Sequence, residues 1–327
     1  MRISGLSEIA GRFDGFLIDQ FGVIHDGQRL YAGTLRVLSE LQGLGKPVVV
    51  MTNSGKRAEA NRRRLVKMGI PRAHFADAMS SGEVAYALLS SSPLWGEGRV
   101  RGAGSVADIQ PPVTLQDPSP YPLPDGERND QGIPKENDES QSARPRSSSP
   151  QRGEGRVRGG AASTPRAYLI GKEGEDYGFD GVRFAGDPRD ADLILILGSN
   201  APATSLDQYR ELLRELTIPA LCCNPDKLML TPQGLQPAPG AIAALYEEQG
   251  GTVTWIGKPY PEIYEQAAAL VGNPRRILCV GDSPEHDVAG GRGAGFSTLL
   301  VEQGVSAGHA LRPEDPQPDF VMKDFTW

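Results

Sequence analysis

The chain has 327 residues, enough for two domains and a sizeable core. Its 34 basic and 41 acidic side chains give a formal charge of -7, a balance that gives no reason to expect nucleic acid or an anionic membrane as partner. No apolar run approaches the length that crosses a bilayer, and residues 1–11 lack the apolar stretch of a signal peptide, so the default expectation is a cytoplasmic protein.

The predicted elements alternate strand and helix. Residues 16–18 read as a short buried strand that ends on Asp19 and breaks at Gly22. Leu35, Leu38, Leu41 and Leu44 recur at helical spacing, and Gly45 is placed to end that helix. Residues 47–51 form a Val/Met run read as a second buried strand, and 57–68 read as a helix closing at Gly69. Ser80 and Glu83 have the spacing of a capping box and open a helix that runs to Leu89.

The composition then changes. Residues 91–165 hold 11 Pro, 10 Gly and 10 Ser, and only 11 residues that are Val, Ile, Leu, Trp or Tyr. So little apolar surface cannot offset the entropy of ordering the segment, which predicts disorder over about 92–164. Compact domains rarely hold a structureless loop of this size, so the segment reads as an insertion. The heptapeptide Gly-Glu-Gly-Arg-Val-Arg-Gly at 96–102 recurs verbatim at 153–159, near the two ends of the segment. Units of a repeat architecture would carry a foldable apolar face, which this one lacks, so it resembles a translated mobile element. An Arg-Gly arm for RNA is the weaker alternative, because acids dilute the four arginines. Removing about 92–164 leaves an ordinary short connection between the preceding helix and the strand predicted at 167–170.

Alternation resumes there. Strands are predicted at 167–170, 193–197, 220–223, 253–256, 276–280 and 298–301, with helices at 206–216, 241–248 and 262–270. Repeated βα units argue for parallel sheets covered by helices. Cys222, Cys223 and Cys279 lie in apolar runs without metal-ligand spacing and read as small buried hydrophobes. Gly291-x-Gly293-x-Gly295 follows Asp287 inside a helical stretch rather than a strand, so close packing is preferred to a dinucleotide loop.

Four pieces carry chemistry, each at the end of a predicted parallel strand, where open α/β sheets bind ligands. They are Asp19, Thr52-Asn53, Lys258-Pro259, and Gly281-Asp282 with Asp287. Singly, each reads as a turn, a cap or a solvated loop. Together and in this order they resemble the haloacid dehalogenase (HAD) superfamily. Gly22-Val23, Asn224-Pro225-Asp226, Pro239-Gly240 and Gly257-Lys258-Pro259 are similar to its C2-capped branch, class IIA, which includes nucleotide, sugar-phosphate and p-nitrophenyl phosphatases.

That resemblance implies a doubly wound α/β core over 1–81 and 236–327, and a smaller α/β cap over 82–235 that carries the insertion. It implies a Mg²⁺-dependent phosphohydrolase of small phosphorylated metabolites, working through an aspartyl phosphate. Asp19 matches the nucleophile, Thr52 the hydroxyl that holds a phosphoryl oxygen, and Asn53 a backbone donor beside it. Lys258 matches the charge-neutralising lysine, and Asp287 the acid near metal and lysine. Asp19, Asp282 and the Phe21 carbonyl match the metal ligands. Asn224 and Asp226 stand for a cap–core junction or a substrate contact, with a plain Asn-Pro-Asp turn as the alternative. Relatives often pair through their caps, so a homodimer is expected.

One residue departs from the pattern. Where these phosphatases carry a second Asp, two residues after the first, this chain has Phe21. In the family that acid protonates the leaving group and then deprotonates the attacking water. General acid–base help is worth about 10²–10⁴ in rate, and its loss weighs most on poor leaving groups. Three readings follow: a hydrolase slow or selective for good leaving groups, with His25 or Asp26 as substitute acids; a binding or regulatory protein with vestigial hydrolysis; or chemistry on another leaving group. The last needs a cap soon after the first strand, and residues 23–46 are too few for one.

Overall fold

The structure is a computed structural model, and it describes residues 1–91, 165–231, 233–308 and 311–327. The compositional insertion and its predicted disorder over 92–164 lie outside the described residues. Among the described residues no helix is long and apolar enough to cross a membrane.

Two parallel sheets organise the chain. The first strands are β1 (Gly15–Asp19), β2 (Val48–Thr52) and β3 (Asp77–Ser80), with helices α1 (Thr34–Gly43), α2 (Ala58–Lys67) and α3 (Ser81–Ser91). The second sheet draws on β4 (Arg166–Ile170), β5 (Arg183–Phe184), β6 (Leu193–Ile196) and β7 (Ala220–Cys222). Helix α4 (Leu206–Leu213) follows β6, and a small antiparallel hairpin, β8 (Leu228–Thr231) with β9 (Gly234–Pro237), follows β7. Then come α5 (Pro239–Glu248), β10 (Val253–Trp255), α6 (Pro261–Leu270), β11 (Ile277–Gly281), α7 (Ala289–Gly293), β12 (Ser297–Val301) and β13 (Phe320–Met322).

The first sheet has the order β13-β12-β11-β1-β2-β3 and the second β10-β7-β6-β4-β5. In the first, the chain steps outward from β1 through β2 to β3, and from β11 through β12 to β13 on the other side. The crevice between the carboxyl ends of β1 and β11 is therefore the switch point where open α/β sheets bind ligands. The doubly wound core that the sequence predicts is the observed one.

Strand side chains alternate between two apolar layers, as strands covered on both faces require. Phe16, Ile18, Val48, Val50, Leu278 and Val280 pack with α1. Leu17, Val49, Met51, Ile277 and Cys279 face the other way, into a cluster shared with Leu193, Leu195 and Leu197 of the second sheet. Ile194 and Ile196 complete the alternation and pack under α4 and α5. One continuous apolar layer thus joins the two sheets.

Several predicted boundaries move. A core that resumes at 236 begins too early: α5 packs on the second sheet, and Val253–Trp255 pairs with β7. The second layer therefore runs to Trp255. The helix predicted to Leu216 ends at Leu213, because Glu215 adopts φ +65°. Only half of the capping box forms. Ser80 Oγ accepts the Glu83 N–H at 3.1 Å, but the Glu83 carboxylate turns away to Arg57 and to the Ala58 N–H. Strands β3, β5, β8, β9 and β13 were not predicted, being short or only partly apolar. Of the Gly291-x-Gly293-x-Gly295 run, only Gly291 is a close-packing position, where a Cβ would meet Thr298 at 2.8 Å; Gly293 faces open space, and Gly295 takes a left-handed turn at φ +78°.

Candidate active site

Asp19 is the last residue of β1 and is buried. Its register partner on β2 is Met51, so Thr52 is the next residue along the neighbouring strand. On the other side β11 ends at Gly281, and Asp282 follows it at the same rim. Lys258 enters from the loop between β10 and α6. Its Nζ donates to Asp19 Oδ1 at 2.5 Å and to Asp287 Oδ1 at 2.6 Å. All four charged side chains are buried, and Asp19, Asp282 and Asp287 bring carboxylate oxygens within 4.8 Å of one another. The structure thus gathers Asp19, Lys258, Asp282 and Asp287 in one cleft.

Three carboxylates against one ammonium set the electrostatics. Burial would pull the Lys258 ammonium down, but Asp19 and Asp287 overcome it and hold the group above its ordinary value. Burial pushes the Asp19 carboxyl up to about 7; Lys258 opposes that shift and Asp287 adds to it. Burial, then Asp19 and Asp287, hold Asp282 well above the usual carboxylate range. Fully ionised, the three carboxylates would outweigh the one ammonium, and the upward shifts of Asp19 and Asp282 are the cluster's response to that excess. Hard oxygen donors in that state fit a divalent cation such as Mg²⁺, which takes few carboxylates and completes its shell with other oxygens. Asp287 is the poorest candidate ligand, because Lys258 occupies its Oδ1 and the Ser283 N–H occupies its Oδ2 at 3.1 Å.

Asp282 is held by a loop the sequence reading did not single out. Val305 N–H donates to its Oδ2 at 2.7 Å, and the Ser306 hydroxyl donates to its backbone carbonyl. Two glycines make room for it. A Cβ on Gly22 (φ +91°) would lie 2.0 Å from Asp282 Oδ2, and one on Gly304 (φ +54°) would lie 1.9 Å from it. Both have a left-handed backbone, which glycine alone adopts readily. Gly22 was legible beside Asp19. Gly304 sits after β12 with no chemical residue next to it, so only the fold shows its use.

The expectation for Asn53 concerned its backbone N–H; its side chain has a role of its own. Oδ1 accepts the Lys258 N–H at 2.7 Å, while Nδ2 donates to the Lys258 carbonyl at 3.2 Å and to Asp226 Oδ1 at 3.1 Å. Asn53 therefore fixes the backbone that carries Lys258. Asn224 and Asp226 make a turn, in which Asn224 Oδ1 accepts the Asp226 N–H at 2.9 Å, and Asp226 bridges to the first sheet through Asn53. Asp226 also faces His286 at 3.6 Å, a residue the sequence reading did not select. Thr52 Oγ1 accepts the Ser54 N–H at 3.3 Å, which leaves its hydroxyl proton free to donate.

Phe21 is 51% exposed, and its ring stands edge-on to His25 and over Gly27. The two substitute acids fail. His25 is wholly buried, Gly27 N–H donates to its Nδ1 at 3.0 Å, and the Gln20 side-chain nitrogen lies 3.0 Å from its Nε2. Burial, then the Arg64 charge, pull its pKa down to about 4. Asp26 accepts the Arg29 and Gln28 N–H groups, which hold its carboxyl below the usual range. One group is neutral and the other ionised at neutral pH, so neither has a proton to give.

A family model for haloacid dehalogenase-like hydrolases matches residues 16–107, and a HAD-hydrolase-like model matches 255–327. The chain belongs to the haloacid dehalogenase-like hydrolases. Its curated relatives include the dihydroxyacetone phosphatase of Corynebacterium glutamicum, 35% identical over 104 residues, which is 31% of this chain and 38% of that protein. Bovine chronophin is 26% identical over 311 residues, covering 94% of this chain and 87% of its own. A haloacid dehalogenase-like hydrolase from Brucella suis superposes with a TM-score of 0.70 at 21% identity, covering 99% of this chain and 100% of that one. The match to the corynebacterial phosphatase spans well under half of that protein's length.

Proposed function

We propose that this chain hydrolyses phosphoric monoesters of small metabolites, with Asp19 as nucleophile and Mg²⁺ as the bound cation. The observation that carries the reading is the buried Asp19–Lys258–Asp287 chain at the sheet's switch point, with Asp282 beside it. The phosphatase relatives support the same class.

The residues divide the work. Lys258 occupies Asp19 Oδ1, so Oδ2 is the attacking oxygen. Oδ2 bonds to phosphorus, the bond from phosphorus to the ester oxygen breaks, and the leaving group departs with that electron pair. Water then attacks the aspartyl phosphate, releasing inorganic phosphate and restoring the carboxylate. Splitting the displacement this way replaces one hard step by two easier ones. The Thr52 hydroxyl and the Lys258 ammonium hold phosphoryl oxygens, and Asp287 keeps the ammonium aimed. Asp19 and Asp282 would hold the cation, which supplies charge neutralisation at the phosphoryl oxygens.

Phe21 decides the leaving group. With no acid on the flap, the departing oxygen takes its proton from water, which favours aryl and acyl phosphates. The test is phosphate release with Mg²⁺ from p-nitrophenyl phosphate and from an alkyl phosphate, with an Asp19→Asn control. The aryl ester turns over at least about 10² faster, and the control is silent. Equal rates on the two esters sink the selectivity argument. The same Phe21 favours a second reading, a binder of phosphorylated ligands with vestigial hydrolysis. Ligand-induced thermal stabilisation without any turnover selects that one.

A further inference from the structure

A cavity of about 380 Å³ opens beside α2, next to the carboxylate cleft but separate from it. Its polar lining is Ser54, Lys56, Asn61, Arg63, Arg64 and Lys67, with no acid among the lining residues. Positions 60, 63, 64 and 67 recur at helical spacing, so one face of α2 forms a wall. Its volume is that of a small-ligand site.

The charges are only half compensated. Lys56 pairs with Glu175, and Arg63 pairs with Glu59 at 2.8 Å. Arg64 donates to the Gly27 carbonyl of the flap at 3.0 Å, a neutral partner. Among the described residues, no carboxylate forms an ion pair with Arg64 or Lys67. The cavity therefore keeps about two uncompensated positive charges, and a concave, one-signed surface concentrates anions. Through Gly27, Arg64 is tied to the segment after β1 that also carries Phe21. Ser54 reaches the scissile site along the chain: it lies two residues past Thr52, which is at most about 7 Å of extended backbone.

We infer that this cavity receives a second anionic group of the substrate, so that the preferred substrates are phosphate esters bearing a further carboxylate or phosphate about 7–10 Å from the scissile phosphorus. This deepens the hydrolase reading and rests on it. The monoester is held at Asp19 and Lys258, while Arg64 and Lys67 take the distal charge by charge-assisted hydrogen bonds.

The test uses two aryl esters of one shape, 4-carboxyphenyl phosphate and 4-carbamoylphenyl phosphate, both with leaving groups that need no acid. The carboxylate ester has a kcat/KM about tenfold above the amide, the worth of one charge-assisted contact. Lys67→Gln, at an exposed position, brings the ratio toward one, and Arg64→Gln lowers it further in the double variant. A ratio of one in the unsubstituted protein overturns the inference, as does a ratio that Lys67→Gln leaves intact. Sulfate separates the two sources of anion. Raising KM for the carboxylate ester alone supports the substrate subsite; changing both esters alike, with no carboxylate preference, marks a free-anion site and overturns it. If neither ester releases phosphate, the hydrolase reading falls, and equilibrium binding to Asp19→Asn protein judges the cavity. Tighter binding of the carboxylate ester that Lys67→Gln removes upholds it, and equal binding of the two esters overturns it.

Discussion

The two sheets share a strand architecture and an apolar layer, yet they differ in what they bury. Asp19, His25, Lys258, Asp282 and Asp287 are buried at or beside the first sheet. Between residues 165 and 256, the described buried polar side chains reduce to Ser199. Both sheets reverse their strand order, the second between β4 and β6, but the charged loop residues converge at the reversal of the first, between β1 and β11. A buried charge is costly unless paired, so it collects where partners can be brought to it. The second sheet offers Ile, Leu and Cys on both faces, and part of its layer's polar contact is made across the junction with the first: Arg57 with Gly178, Lys56 with Glu175, Tyr86 with Asp180.

The contrast breaks most sharply at Lys258. Lys258→Met leaves three buried carboxylates with no cation among them, which costs about 3–5 kcal/mol of stability. It also removes a phosphoryl contact, lowering kcat by about 10²–10³. Denaturant unfolding and steady-state turnover read the two effects separately. Phe21→Asp tests the same rim by gain. The position is half exposed, so a carboxyl there is tolerated, and turnover of alkyl phosphates rises by about 10² or more while aryl esters change little.

In the second sheet the expected effect is purely mechanical. Leu195 is fully buried in the layer between the sheets, and Leu195→Ala costs about 3 kcal/mol through the cavity it leaves. Turnover well below the melting temperature stays near that of the unsubstituted protein. A matching collapse of kcat would erase the distinction between the sheets.

The smallest effect is a pH slope. His25 is held neutral with its pKa near 4, against about 6.5 in an unfolded chain. The unfolded chain therefore binds the proton more tightly. The stabilisation is complete above pH 6.5 and is lost as pH falls toward 4. Asp19, raised to about 7, works in the opposite direction. The His25 contribution is thus read as a difference: His25→Gln protein loses less stability between pH 7.5 and pH 4.5 than the unsubstituted chain.

Much of the first sheet was legible because its strands are continuous apolar runs ending on chemically distinctive residues. Asp19, Lys258, Asp282 and Asp287 meet as the resemblance implied. The failures have physical causes. Strand β13 and the 304–306 loop carry little pattern of their own and exist because β12 and Asp282 give them partners. Asn53 was read for its backbone N–H alone, because the partner of its side-chain amide lies 205 residues away in the chain. The boundary at Trp255 was missed because β10 pairs with a strand about thirty residues earlier rather than with its successor. Four of the six polar residues of the basic cavity were hidden in an ordinary amphipathic helix, and Ser54 and Lys56 in the loop before it.

Asn53 has a kinetic consequence. Its one amide joins segments 173 and 205 residues away in the chain. Helices α1 and α2 need only local contacts, whereas this knot requires loop closures of well over a hundred residues, which form slowly. During refolding the helical signal returns early, and competence at Asp19 waits for the last and most distant segments to arrive.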